Sequence, residues 1–311
     1  MRILLAPMEG VIDAPMRQLL TALGGYDACV TEFLRLSDGE LSERSYRKHC
    51  PELAHGSCTA SGTPVILQLL GSDPALLAVS ARRAVQLGAS AIDLNFGCPS
   101  RFVNRKAGGA ALLQEPQLMA RIVSTVRGAL PRDIPVSAKM RLGYDIPDAA
   151  VDIALAVQEA GADFITVHAR TRADGYRAPA RWEWLRPINE ALKIPLFANG
   201  DINSIDDWRR CHEISGCQHV MLGRGALMQP DLARQLRAWH AGTEVEAMQW
   251  PDIRTLLPHL VTHYAPDTRG LSARLKQWLG LLRQRHAGAE AAFARIRALR
   301  DMHSILTELA G

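Results

Sequence analysis

Eight short apolar runs, each followed by a stretch with helical spacing, repeat along most of this 311-residue chain. The runs are residues 3–8, 28–33, 64–70, 91–95, 135–140, 164–168, 195–198 and 219–222. Helical stretches lie between them, such as 73–87, 116–130, 147–160 and 204–212. The helix boundaries are chemically marked. Ser72-Asp73-Pro74 supplies a polar cap and a proline for the first turn, and Leu87-Gly88 and Ala160-Gly161 put glycine where a helix stops. Runs that are apolar throughout, rather than alternating, are buried on both faces, as in a parallel sheet covered by helices. Eight such units in about 240 residues predict an α/β fold, an eight-stranded parallel barrel. An open doubly wound sheet is the main rival. The first turn carries no G-x-G-x-x-G, which counts against it.

After about Ala241 no strand is predicted; residues 242–252 read as a linker and the remainder as helix. This divides the chain into a barrel, 1–242, and a helical domain, 243–311. Between Ala273 and Arg300 there are seven basic residues (Arg274, Lys276, Arg283, Arg285, Arg295, Arg297 and Arg300) against one acid, Glu290. That leaves a local net charge of +6, where the whole chain has only +4. Leu275, Trp278, Leu279 and Leu282 form an apolar stripe at helical spacing, so this segment can pack while showing a basic face to a polyanion. Aromatic residues make up only 5% of the chain, which argues against a long platform for stacking single-stranded bases.

No run approaches the roughly 20 apolar residues of a membrane span, and the N-terminal apolar run is too short for a signal peptide. The six cysteines are too sparse for a disulfide framework. A cytoplasmic protein with no membrane association is expected, and no obligate protein partner is evident. His49, Cys50, His55 and Cys58 cluster in sequence but lack a Cys-x-x-Cys hook, so they are read as part of an ordinary loop and no metal is expected.

In a barrel of this kind the active site lies at the carboxyl ends of the strands. Those ends carry Met8 and Glu9, Glu32 and Arg35, Gln68, Asn95 and Cys98, Lys139 and Arg141, His168 and Arg170, Asn199 and Asp201, and Arg224. Asn199-Gly200-Asp201 and Gly223-Arg224-Gly225 follow the seventh and eighth runs, where barrels often bind phosphate. Glycine lets backbone N–H groups approach the oxygens, and a guanidinium grips them as a planar fork. Lys139 lies within the fifth run, where a lysine needs a partner. It suits a Schiff base or a delocalised anion such as a reduced flavin ring, with Gln68 and His168 bonding the same plane. Cys98 sits in Asn95-Phe96-Gly97-Cys98-Pro99-Ser100, directly after a strand. Its thiol is open to three fates: nucleophile, proton donor or inert packing. An unperturbed thiol, with a pKa of about 8.5, is protonated at neutral pH and can donate without a special base.

At these residues the chain resembles the bacterial tRNA-dihydrouridine synthases over essentially its whole length. The matching segments are Ala6-Pro7-Met8-Glu9-Gly10, Gln68-Leu69-Leu70-Gly71, Asn95-Phe96-Gly97-Cys98-Pro99, Lys139-Met140-Arg141-Leu142-Gly143, Val167-His168-Ala169-Arg170-Thr171, Asn199-Gly200-Asp201-Ile202 and Met221-Leu222-Gly223-Arg224-Gly225. The resemblance implies an FMN-binding barrel followed by a helical RNA-binding domain, with tRNA as substrate and NADPH as reductant. It implies that Pro7, Met8, Glu9 and Gln68 line the flavin and that Lys139 and His168 contact its ring. It implies that Asn199, Gly200, Asp201, Gly223 and Arg224 hold its ribityl chain and phosphate. Cys98 is then the general acid that protonates C5 of a flipped uracil as hydride reaches C6, and Asn95, Arg141 and Tyr176 face that uridine. Met1 to Gly10, Thr31-Glu32-Phe33 with Arg35, and Arg274-Leu275-Lys276-Gln277-Trp278 resemble the C-type branch, which acts on uridine 16 of the D-loop. In that branch Arg35, Arg274, Lys276 and Arg297 orient the tRNA. A flavoenzyme of a free pyrimidine, akin to dihydroorotate dehydrogenase, is an alternative that leaves the basic tail without a role. An aldolase using Lys139, which borohydride trapping of a carbonyl substrate would reveal, is a less favoured alternative, and a non-catalytic tRNA-binding protein leaves the strand-end residues unexplained.

Overall fold

The computed structural model describes residues 1–37, 39–104, 108–264 and 270–310. Eight parallel strands close into a barrel in sequence order: β1 (Ile3–Leu5), β2 (Ala28–Arg35), β3 (Val65–Leu70), β4 (Ile92–Phe96), β5 (Val136–Arg141), β6 (Phe164–His168), β7 (Leu196–Asn199) and β8 (His219–Leu222). The predicted barrel is therefore the observed one, with strand ends shifted by a few residues. The predicted helices appear as Pro74–Gln86, Pro116–Ala129, Ala150–Glu159 and Ile205–Ser215. Asp73 caps the first of these by accepting from the backbone N–H groups of Ala75 and Leu76.

Strand periodicity sorts side chains into two separate apolar regions. Ile92, Leu94 and Phe96 of β4, with their counterparts on other strands, face outward into the layer shared with the helices. Leu4, Ala28, Val30, Ile66, Ala91, Phe164, Phe197 and Met221 form a second cluster inside the barrel. Moving along each strand from that floor toward its carboxyl end, the same inward parity becomes polar. Ile66 is followed by Gln68, Ala91 by Asp93 and Asn95, Phe164 by Thr166 and His168, and Phe197 by Asn199. On β5 the inward positions are Ser137, Lys139 and Arg141, opposite Asp93, Asn95 and Gly97 or their strand neighbours. The floor supplies packing and the mouth supplies chemistry.

The segment around His49 differs from the expected loop. It is a helix, Glu43–His49, followed by a 3-10 turn, Pro51–His55. Ser42 caps the helix, and Glu43 and Arg47-Lys48-His49 sit at the ends where the helix dipole favours them. Cys50 is fully buried, and no cluster of three metal-ligating side chains occurs among the described residues. Beneath this segment Arg17 donates through Nε and Nη2 to both oxygens of Glu52 at 2.9 Å, with both side chains buried. Glu52→Gln would leave the guanidinium without its counter-charge. Equilibrium unfolding is expected to show a loss of about 3–5 kcal/mol at an unchanged denaturant slope. A loss below about 1 kcal/mol would assign the stability of this region to apolar packing alone.

Beyond the barrel lie helices Trp250–Thr262, Leu271–Leu282, Ala287–Ile296 and Met302–Ala310. The expected linker is shorter than predicted, because Trp250 already begins a helix. The apolar stripe Leu275, Trp278, Leu279 and Leu282 is buried as its spacing required. Trp278 Nε1 donates to the carbonyl of Leu227 at 3.0 Å, fixing this helix on the barrel rim beside β8. No helix among the described residues is long and apolar enough to cross a membrane.

Candidate active site

A cavity of about 670 Å³ opens at the carboxyl ends of the strands. Pro7, Met8 and Glu9 after β1, Gln68, Asn95, Cys98, Lys139, Arg141, His168, Tyr176, Asn199, Gly200, Asp201, Gly223 and Arg224 all line it. Residues from eight separate segments of sequence thus meet in one space. Gln277, Gly280 and Leu281 of helix Leu271–Leu282 roof it, which nothing in the sequence pattern indicated. A β-bulge between Val30 and Phe33 turns Phe33 into the same wall. A second cavity of about 560 Å³ adjoins the first and shares Tyr176, Asp201, Asn203 and Arg224 with it.

The thiol stands on a turn fixed from two sides. Asn95 Oδ1 accepts from the backbone N–H groups of Gly97 (3.0 Å) and Cys98 (2.9 Å). Arg141 Nε donates to the Gly97 carbonyl at 2.8 Å, while its Nη1 holds the carbonyls of Thr171 and Gly175. Partial burial pushes the Cys98 thiol up from its ordinary range, with Arg141 and Lys139 acting the other way. The thiol is therefore protonated at neutral pH, and the thiolate formed when it gives up a proton meets two nearby cations.

Lys139 projects into the cavity from β5, and its Nζ donates to Asn199 Oδ1 at 3.3 Å. Burial, and then repulsion from Arg141, lowers its ammonium to about 8. His168 is buried, and burial followed by Arg141 and the other nearby cations holds it well below its usual range, so the ring is neutral. Its Nε2 lies 3.0 Å from Arg170 Nη1, a donor, which leaves the ring proton on Nδ1. Tyr176 is exposed at the mouth, its ring 6.2 Å from that of His168 and flanked by Arg141 and Arg224.

The two glycine loops approach each other by backbone. Gly200 has φ +117, and a Cβ there would lie 3.0 Å from His168 Cδ2. At Gly225 a Cβ would come within 2.2 Å of the Ile202 carbonyl oxygen. The side chains of Asn199 and Asp201 are already bonded within the protein. Asn199 Nδ2 donates to the Met221 carbonyl, and Asp201 accepts from Arg170 at 2.5 Å and Arg224 at 3.1 Å. They hold Lys139 and Arg224 in place, leaving the Arg224 guanidinium partly exposed toward the cavity. Donors on the walls include the second N–H of Gln68 and of Asn95, the ammonium of Lys139 and the fork of Arg224, with the Glu9 carboxyl beside them. This set suits a flat, carbonyl-bearing ring together with a phosphate.

The sequence-predicted cations of the tail behave differently from a free basic face. Arg274 pairs with Asp13 at 2.8 Å, and Tyr264 donates to the same carboxylate. Lys276 donates to the Leu299 carbonyl, Arg283 pairs with Glu290, Arg295 with Glu308, and Arg285 donates to the Asn203 carbonyl. The acids Asp13 and Glu308 lie outside the window whose charge was counted, which is why the sequence overstated its free charge. Arg297 and Arg300 are exposed and have no ion pair among the described residues. Arg35 stands apart from the cavity wall, its guanidinium 4.2 Å from the centre of the exposed Phe102 ring. Sequence reasoning gave no role to Asp93 and Ser137, which lie under the site. Asp93 Oδ1 accepts from Ser137 at 2.6 Å and Oδ2 from Gln68 Nε2 at 2.7 Å. The signal was present: a carboxylate inside an apolar run, two residues before Asn95 and so on the same face.

A family profile described as Dihydrouridine synthase (Dus) matches residues 4–304. A tRNA-dihydrouridine(16) synthase of Aquipseudomonas alcaligenes is 49% identical over 313 aligned residues, covering 98% of each chain. One of Neisseria meningitidis serogroup B is 48% identical, covering 99% of this chain and 94% of its own. Among solved structures, histamine dehydrogenase from Rhizobium sp. 4-9 superposes with a TM-score of 0.58 at 14% identity. That match covers 84% of this chain and 48% of the longer one, and it shows the shared barrel fold.

Proposed function

The chain belongs to the dihydrouridine synthase family, and we propose that it reduces uridine to 5,6-dihydrouridine in the D-loop of tRNA, at position 16. The observation that carries this reading is that Cys98, Lys139, Gln68 and Arg224, from four different strand ends, line one cavity. The relatives named tRNA-dihydrouridine(16) synthase, similar over nearly the full length, support both the substrate and the position.

The donor set fits flavin mononucleotide. Gln68 and Lys139 would face its ring, His168 its polar edge, and Gly200, Gly223 and Arg224 its phosphate, with Pro7, Met8 and Glu9 along the wall. Bound there, the flavin would supply hydride for C6 of the uracil, with NADPH as the reductant. Cys98 donates a proton to C5, which completes the addition of two hydrogens across the bond. Lys139 places a positive charge where negative charge develops on the cofactor side, and Asn199 keeps it aimed. Tyr176 offers an aromatic face for a base drawn out of its stack, with Asn95 and Arg141 beside it.

Residues 1–242 are the catalytic unit in this reading and 243–311 the tRNA-holding unit, acting in the cytoplasm. Arg35, Arg274, Lys276 and Arg297 contact the tRNA backbone. Their different settings separate their expected behaviour. Arg297→Ala should weaken tRNA binding, reduce the salt slope by about one and leave thermal unfolding unchanged. Arg274→Ala should weaken binding and also lower the unfolding midpoint, because Asp13 and Tyr264 lose a partner. Salt-titrated tRNA binding and thermal melts check both. The cofactor assignment is tested by colour: the purified chain is expected to carry a flavin chromophore that is released as the mononucleotide. A colourless protein that stays colourless after incubation with flavin mononucleotide contradicts it.

A further inference from the structure

The middle layer of the barrel holds a carboxylate that reaches no part of the cavity. Asp93 is buried on β4, level with Gln68 on β3 and Ser137 on β5, one layer below Asn95 and Lys139. A carboxylate placed there without a purpose costs stability, since burial disfavours its charge. We infer that Asp93 is the positioning residue for the acid thiol: it fixes the orientation of two amides, and through them the turn that carries Cys98. This rests on the proposed reaction only for its catalytic consequence.

Burial raises the Asp93 carboxyl, opposed by its bonds from Ser137 and Gln68 and by the charge of Lys139. A carboxyl oxygen facing an amide N–H accepts, and a backbone N–H only donates. Gln68 Nε2 donates to Asp93 Oδ2 at 2.7 Å, which turns Gln68 Oε1 toward Asn95, whose Nδ2 donates to it at 2.8 Å. Asn95 Oδ1 is then the atom that faces the turn, where it accepts from the N–H groups of Gly97 and Cys98. The bonds run in one sense from the turn to Asp93. Reversing either amide sets donor against donor at one end and acceptor against acceptor at the other. Ser137 Oγ, donating to Asp93 Oδ1 at 2.6 Å, fixes the carboxylate itself. The same polarity leaves the second N–H of each amide for the cavity, so one buried carboxyl bears on both the height of the thiol and the donors on the wall beside it.

Two variants separate orientation from charge. Asp93→Ala removes the acceptor. Asp93→Asn keeps an oxygen for Gln68 and can donate its amide to Ser137 Oγ, but it removes the charge beside Lys139. Hydrogen exchange at the Gly97 and Cys98 amides is measured on the purified full-length protein, and single-turnover reduction of unmodified tRNA on the flavin-loaded protein. Asp93→Ala is expected to speed exchange at both amides about tenfold and to slow tRNA reduction about tenfold, with Asp93→Asn within about threefold of wild type in both. Wild-type exchange rates in Asp93→Ala overturn the inference, and so does an Asp93→Asn variant as impaired as Asp93→Ala, which would assign the role to charge. If Asp93→Ala does not fold, Ser137→Ala is expected to speed the same amides about threefold, and no change overturns the inference. If the wild-type protein makes no dihydrouridine, the proposed function fails while the exchange result still decides the relay.

Discussion

Replacing Cys98 with alanine is expected to leave flavin binding and flavin reduction by NADPH intact and to slow reduction of tRNA uridine by about 10²–10⁴-fold. The two half-reactions separate because the turn is held by backbone groups rather than by the thiol: the Cys98 N–H donates to Asn95, its carbonyl accepts from Asn104 and Ala110, and Arg141 donates to the Gly97 carbonyl. Alanine preserves those bonds. What it removes is a proton poised above its ordinary pKa beside two cations that receive the resulting thiolate. Cys98→Ser is a finer probe, because a hydroxyl is a much weaker acid in the same place. Stopped-flow absorbance of the flavin, first with NADPH and then with unmodified tRNA, checks the split. An unchanged second phase removes Cys98 from the acid role.

The other large effect is expected at Lys139. Lys139→Met keeps the aliphatic stem and removes the charge, and flavin reduction should fall by about 10²–10³-fold, the usual loss of a preorganised electrostatic donor. The pH profile gives an independent sign. Because burial and Arg141 lower the ammonium from 10.5 to about 8, it loses its proton as pH rises through about 8. Wild-type flavin reduction should therefore decline above about pH 8, and the Lys139→Met profile should be flat there. Burial moves the Cys98 thiol the other way, up from its ordinary range, so its titration lies above that of Lys139. A wild-type profile with no decline, or a methionine variant that keeps it, would show that the charge on Lys139 is not used.

The barrel was legible in the sequence because its determinants are local. An unbroken apolar run such as 195–198 does not read as a half-exposed strand, and caps such as Asp73 announce the helices between the runs. The strand-end residues were legible for the same reason, since the fold rule specifies which end of each run faces the site. The connections among them were not. Asp201 reads as a loop residue after strand seven, yet its carboxylate joins Arg170 to Arg224 across three loops. Asp93 reads as an oddity within an apolar strand until its registry with Gln68 and Ser137 is known. Charge was the least legible property. The +6 of the tail was counted correctly, but Glu308, just beyond the counted window, pairs with Arg295, and folding brings Asp13 from the far end of the chain onto Arg274. The roof supplied by Gln277, Gly280 and Leu281 escaped for a related reason: a buried stripe shows that a helix docks, not where.

The central claim is that this chain converts a uridine of tRNA to dihydrouridine through Cys98. Position-by-position mapping of dihydrouridine in tRNA from a strain lacking the chain, and from the same strain given back either wild type or Cys98→Ala, tests it directly. The account predicts that dihydrouridine at position 16 of the D-loop disappears in the deletion, returns with wild type and does not return with Cys98→Ala. Dihydrouridine persisting at position 16 in the deletion strain, or restored in full by Cys98→Ala, would contradict it.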